Sequence, residues 1–298
     1  MNKNLNFALV FNSNAAGGRK LKLINKVISI LEKEHTVELF KTQSEKHATE
    51  VFKKLSNKKF DRLIVAGGDG SVCFAINEMI KNQSLNDKLV GYIPAGTANI
   101  LQIETQIKKK AKEICQILVS DKHKKINLAR INDKYFFLMA GIGFDSEIVA
   151  SIDTRIKKYL GKIIFALKGF QHFLFLKKNK MQVEVDNKKI MADWILCTNS
   201  KYYAGPHSIT NETNIFEKKI VAYIFRDLTR LKLIYYVWLI LTKGDLTPAK
   251  SVIKIDLDKI KINGINKKLL SQVDGENCGY NKQLEIQKTS KFVNLLVP

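Results

Sequence analysis

One stretch, Arg62-Leu-Ile-Val-Ala-Gly67-Gly68-Asp69-Gly70-Ser71, constrains the fold more than any other in this chain of 298 residues. Leu63 to Ala66 form a short continuous apolar run, the pattern of a strand buried on both faces of a parallel sheet. The run stops at glycine, and Val72 to Lys81 then follow a helical period. Gly67, Gly68 and Gly70 permit close backbone approach, so amide N–H groups can converge on an anion at the start of the helix, where the helix dipole also favours negative charge. A phosphate suits that place. Asp69 repels bare phosphate, so its position among the glycines points to a divalent cation such as Mg²⁺ between the two. The competing reading of a lone glycine cluster is a tight turn after a strand.

A second loop shifts the balance toward nucleotide. Leu89 to Ile93 read as another short strand, and Pro94-Ala-Gly96-Thr97-Ala-Asn99 turns out of it with hydroxyl and amide side chains suited to phosphate or ribose. Both loops leave strand ends, where open α/β sheets bind ligands. Around them the first third alternates strand and helix. Strands are expected at 7–11, 37–40, 63–66 and 89–93, and helices at 21–34, 44–56, 72–81 and 108–119. That βαβ rhythm describes a Rossmann-like parallel sheet. From about residue 125 the period changes to two, with a hairpin over 125–131 and 135–140, a helix over 156–176, and strands at 182–185, 190–199, 220–225, 251–257, 259–262 and 269–273. The expected fold is therefore α/β plus all-β: an α/β domain over 1–125, to which 290–298 return, and a β-rich domain over 126–289.

Charge narrows the partners. The formal net charge is +22, which suits an anionic membrane, a polyanionic substrate or nucleic acid. Only six of the 50 basic residues are arginine, a lysine skew that base composition alone also produces. Lysine clusters at 108–112, 122–125, 157–162 and 177–180 lie at element ends, where a basic face attracts an anionic leaflet. Nucleic acid ranks lowest, for no aromatic-basic stacking motif or recognition-helix signature appears. Four scattered cysteines without a Cys-x-x-Cys pair fit neither a zinc ribbon nor a disulfide framework, and suit a reducing cytoplasm.

Five stretches in order resemble the diacylglycerol kinase catalytic-domain superfamily, which includes bacterial lipid kinases, sphingosine kinases and ceramide kinases. They are Asn12-Ser-Asn-Ala-Ala-Gly17-Gly18, with Ser13 where proline is usual; Gly67-Gly-Asp-Gly-Ser71 with Asn77; Pro94-Ala-Gly-Thr-Ala-Asn99; Gly141-Ile-Gly143-Phe144-Asp145; and Val273-Asp274-Gly275-Glu276. The resemblance implies a C-terminal β-sandwich domain and transfer of the γ-phosphoryl group of ATP, with Mg²⁺, to a lipid hydroxyl. It implies that Asn12, Gly17, Gly18, Gly67, Gly68, Asp69, Gly70, Ser71, Gly96, Thr97 and Asn99 serve the nucleotide, with Asp69 on the metal. Asp274 is then the general base and Glu276 its support, in a site between the two domains. The protein is expected in the cytoplasm, peripherally on the inner leaflet, with a homodimer left open. The alternatives are an NAD kinase-like enzyme, since that family shares Gly-Gly-Asp-Gly, and a non-catalytic lipid-binding protein of the same fold.

Departures from the family pattern motivate the last alternative. Cys73-Phe74 replaces Asn-Glu, Ile100 follows Asn99 where aspartate is common, and Phe216 and Glu217 replace two aspartates that hold a structural metal in some bacterial members. His207 reads as a loop residue. The run Leu231 to Leu241 is too short to span a bilayer and reads first as a core helix, with Tyr235, Tyr236 and Trp238, like Phe170, Phe173 and Phe175, as candidates for a membrane interface.

Overall fold

The computed structural model describes residues 4–12, 19–85, 88–152, 163–177 and 179–298. The chain divides into two compact units, Met1–Ile126 with Phe292–Pro298, and Asn127–Lys291.

The first unit is built on a parallel sheet. Its elements are β1 (Asn6–Asn12), α1 (Arg19–Leu31), β2 (Thr36–Thr42), α2 (Glu45–Ser56), β3 (Arg62–Gly67), α3 (Asp69–Lys81), β4 (Leu89–Pro94), α4 (Ile100–Thr105) and α5 (Ala111–Val119). The strand order is β2-β1-β3-β4, each pair parallel. Leu63 to Ala66 are fully buried, as a continuous apolar run requires. On α1, Ile24, Val27, Ile28 and Leu31 form one buried stripe, and Ser44 caps α2 by accepting from the His47 amide at 3.2 Å. Asn294 and Leu295 close the sheet beside Leu89 and Val90.

Arg62 heads β3 and is buried, a costly place for a cation. Its guanidinium donates to the carbonyl oxygens of Leu118 and Ser120, the latter at 2.7 Å, and to the Asp121 carboxylate at 2.6 Å. It thereby satisfies the C-terminal end of α5, whose last carbonyls have no partner within the helix. Burial pulls the Arg62 pKa down, while Asp121 and Asp61 pull it up. Arg62→Ala leaves those carbonyls without their donor and is expected to lower unfolding free energy by about 2 kcal/mol, read from the urea midpoint. An unchanged midpoint refutes the capping role.

The second unit is antiparallel and β-rich. Its elements are β5 (His123–Ile131), β6 (Lys134–Phe136), β7 (Met139–Ile142), α6 (Phe144–Ala150), the helix Ile163–Leu174, β8 (Met181–Val185), β9 (Lys188–Ala192), β10 (Trp194–Thr198), β11 (Tyr202–Tyr203), β12 (His207–Ser208), β13 (Val221–Phe225), the helix Arg230–Thr242, β14 (Val252–Asp256), β15 (Lys259–Gly264), β16 (Leu269–Val273), β17 (Glu276–Asn281) and β18 (Gln283–Leu296). Strands β5 and β18 contribute residues to both units. A six-stranded sheet runs β14-β13-β10-β7-β16-β17. Elsewhere in the unit the first half of β18 pairs with β15, β15 with β8 and β8 with β9.

Three expectations need correction. The strand expected over 190–199 is two strands, because Asp193 turns away and its Oδ2 accepts the Leu228 amide at 2.7 Å. The return strand expected over 135–140 is broken at Phe137 and Leu138, whose amides bond a side chain instead of a neighbouring strand. Strands β17 and β18 had no counterpart in the sequence reading, for Glu276 to Lys291 are mostly polar and partly exposed. The helix expected over 156–176 is described only from Ile163.

Candidate active site

In the first unit the glycine stretch is less a loop than the first turn of a helix. Gly68 is the N-cap of α3, and the Ser71 and Val72 amides both donate to the Gly68 carbonyl, at 3.0 and 3.2 Å. The N-cap glycine has no side chain with which to cap this helix start. Gly70 and Ser71 thus lie within α3, and Ser71 packs so closely on Gly67 that a Cβ there would stand 2.5 Å from the serine Cβ.

The two glycine turns are one structure. The Ala95 amide donates to the Gly67 carbonyl at 2.8 Å, and a Cβ on Gly96 would sit 2.2 Å from the Gly68 Cα, so only glycine allows the approach. Asp69 completes the lacing: its Oδ2 accepts the Ile100 amide at 2.8 Å and its Oδ1 the Leu101 amide at 3.0 Å, capping α4. The buried Asn99 is left-handed, at φ 51°, and its side chain turns inward. It accepts from the Tyr92 hydroxyl at 3.2 Å and donates to the Gly96 carbonyl at 3.1 Å. Sequence placed Asp69 on a metal and Asn99 on the nucleotide; the structure gives both a first duty in holding the turns. Thr97 is half-buried in the second turn, Asn12 ends β1, and Asn77 bonds back to its own helix at the Cys73 carbonyl. Gly17 and Gly18 lie outside the described residues.

In the second unit Asp274 and Gly275, at φ 47° and 81°, are the central residues of the tight turn joining β16 to β17. The Asp274 carboxylate is buried and accepts three backbone amides: Phe137 at 3.1 Å, Leu138 at 3.0 Å and Met139 at 2.8 Å. Its own amide donates to the Met139 carbonyl at 2.9 Å. Glu276 opens β17 with an exposed side chain.

Sequence quoted Asp145 in a motif without giving it a task; the structure supplies one. Asp145 is buried and accepts from Trp194 Nε1 at 3.0 Å and Gln272 Nε2 at 2.9 Å, while Gln272 Oε1 accepts the Gly275 amide at 3.0 Å. A buried chain thus links the fourth motif to the fifth. The motif's glycines follow from this: a Cβ on Gly141 would lie 1.9 Å from Asp145 Oδ2, and Gly143 has φ 102°. Burial pushes the Asp145 carboxyl up to about 6 from 3.8, against hydrogen bonds from Gln272, Trp194 and Ser146. The native state therefore binds more protons than the unfolded chain between those two values, and stability falls as pH rises through that window, then levels off. The difference corresponds to about 3 kcal/mol. Asp145→Asn should remove it, so the wild-type and variant stability curves should diverge between pH 4 and 6; parallel curves refute the assignment.

Among the described residues no three His, Cys, Asp or Glu side chains cluster as a metal site. Asp69 gives one acceptor direction of each carboxylate oxygen to an amide, and no step proposed for this chain is routed through Mg²⁺. In the stretch with Phe216 and Glu217, Glu212 is instead paired with Lys219 and Lys254, whose hydrogen bonds pull its carboxyl down to about 2. His207 lies on the two-residue pair β11–β12, opposite Tyr203.

The fold is similar to that of a diacylglycerol kinase of Bacillus anthracis: the structures align with a TM-score of 0.78 at 19% identity, over 99% of this chain and 98% of that one. Residues 6–131 match the diacylglycerol kinase catalytic domain. Over those residues the chain is similar to the diacylglycerol kinase catalytic-domain superfamily. It is 24% identical over 253 residues to a diacylglycerol kinase of Bacillus subtilis, covering 83% of this chain and 79% of the relative. It is 22% identical over 269 residues to one of Staphylococcus aureus, covering 87% and 82%.

Proposed function

We propose that this protein is a lipid kinase that transfers the γ-phosphoryl group of ATP to a lipid hydroxyl. The observation that carries the reading is the pair of laced glycine turns at the start of α3, inside the residues that match the kinase domain. Amides at a helix start and the helix dipole favour a polyphosphate there. The lipid oxygen bonds to Pγ, the bond from Pγ to the bridging oxygen of the β-phosphate breaks, and ADP leaves. The hydroxyl proton passes to a carboxylate, the role proposed for Asp274.

Incubating the protein with γ-labelled ATP, Mg²⁺ and a panel of lipids, with NAD as control, tests this. Label in an organic-phase product is the expected result. Label in NAD alone supports the NAD kinase-like reading. ATP binding without any labelled product supports a regulatory protein, a reading favoured by the engagement of Asp69 and Asp274 with backbone amides.

A further inference from the structure

The helix Arg230–Thr242 reads from its sequence as a core helix, apolar on every side, yet only part of it is covered. Leu233, Tyr236 and Leu239 are buried, while Leu231 (79% exposed), Ile234, Tyr235, Trp238 (50%) and Leu241 (62%) share the opposite face. The helix Ile163–Leu174 repeats this inversion. Ile163, Leu167, Phe170 (61%) and Leu174 follow one another at helical spacing on an exposed face, and only Ile164 of this helix is buried. The helices are neighbours in one unit: Arg230 donates to the carbonyl oxygens of Phe173 at 3.2 Å and Leu174 at 2.5 Å. Two exposed apolar stripes so placed exceed the scattered apolar residues of an ordinary surface.

Charge identifies the occupant. Neither helix contains an aspartate or glutamate, while Lys168, Arg230 and Lys232 lie on them, Arg226 precedes the second, and Lys177 and Lys243 follow the first and second. A two-fold dimer through this face would bring each copy's cations toward their own counterparts on a chain of net charge +22. An anionic bilayer reverses that sign and accepts aromatic side chains at its interface. We propose that the paired faces of Ile163–Leu174 and Arg230–Thr242 seat the protein on an anionic lipid surface. This deepens the lipid kinase reading, because the substrate hydroxyl lies in such a surface, but the binding test requires no turnover.

The test uses the full chain with phosphatidylcholine vesicles, with and without phosphatidylglycerol. Binding should require the anionic lipid and weaken with salt. Trp194 is buried and Trp238 half exposed, so a blue shift of tryptophan emission on binding reports Trp238, and Trp238→Phe should abolish it. The pair Leu231→Ser with Leu241→Ser, and separately Phe170→Ser, should each lower vesicle partitioning about tenfold or more. Wild-type partitioning by both variants, or bound protein whose emission does not shift, overturns the proposal. So does a dimer that the variants dissociate without change in vesicle binding. Loss of phosphorylation with binding intact would count against the kinase reading alone.

Discussion

Asp69→Ala is expected to lower unfolding free energy by about 3 kcal/mol and, if the protein is the proposed lipid kinase, to abolish phosphoryl transfer in the same variant. From sequence, the residue reads as one that faces a metal at the nucleotide. The structure shows a buried carboxylate whose two oxygens hold the Ile100 and Leu101 amides. Hydrogen bonds to a charged group contribute about 1.5–3 kcal/mol each, and alanine leaves two donors without an acceptor. Asp69→Asn separates the two duties. One amide keeps a carbonyl acceptor while the other meets an NH₂ donor, so about half the stability loss should remain. Urea denaturation of both variants gives the order, and ATP calorimetry on the folded fraction gives the binding. Wild-type stability in Asp69→Ala would show that the turns are not held by this side chain. Turnover at the wild-type rate in Asp69→Asn would show that phosphoryl transfer does not need its charge.

Asp69 illustrates what could be read from the chain and what could not. The strands of the first sheet were legible because burial on both faces leaves an unbroken apolar run, as in Leu63 to Ala66, and the helices between them because one face repeats at 3.6 residues. The motifs marked the turns, since Gly68 and Gly96 approach each other's backbone too closely for a Cβ and Gly67 lies against the Ser71 side chain. What a carboxylate in a motif bonds to was not legible. Asp69 reads the same whether it faces a cation or the start of α4, and Asn99 the same whether it reaches ribose or folds back onto Gly96. Partners distant in sequence were equally hidden: Gln272 lies 127 residues from Asp145, and Arg62 lies 56 from Leu118. Nor does a helix apolar on all sides, such as Arg230–Thr242, declare which side the core takes.

Asp274→Asn is expected to reduce phosphoryl transfer about 10²- to 10⁴-fold, the range of general-base catalysis, and also to cost about 2–3 kcal/mol of stability. The second effect follows from the three amides of Phe137, Leu138 and Met139, which occupy three of about four acceptor directions on the carboxylate. Asparagine has an NH₂ group where one of those amides needs an oxygen, so it cannot stand in quietly for the aspartate. Alanine leaves all three amides without their acceptor and should cost about 4 kcal/mol. A control that strains the same turn while keeping the carboxylate is Gly275→Ala, where φ is 81° and the added Cβ meets nothing within 4 Å. Left-handed backbone at a residue with a side chain costs about 1 kcal/mol, so this variant should lose that much stability and keep transfer within about tenfold. The comparison is made on folded protein, with ATP affinity measured beside product formation. If Gly275→Ala loses transfer as fully as Asp274→Asn, the aspartate acts only by holding the Phe137–Met139 backbone. If Asp274→Asn transfers phosphate at the native rate, it is not the base.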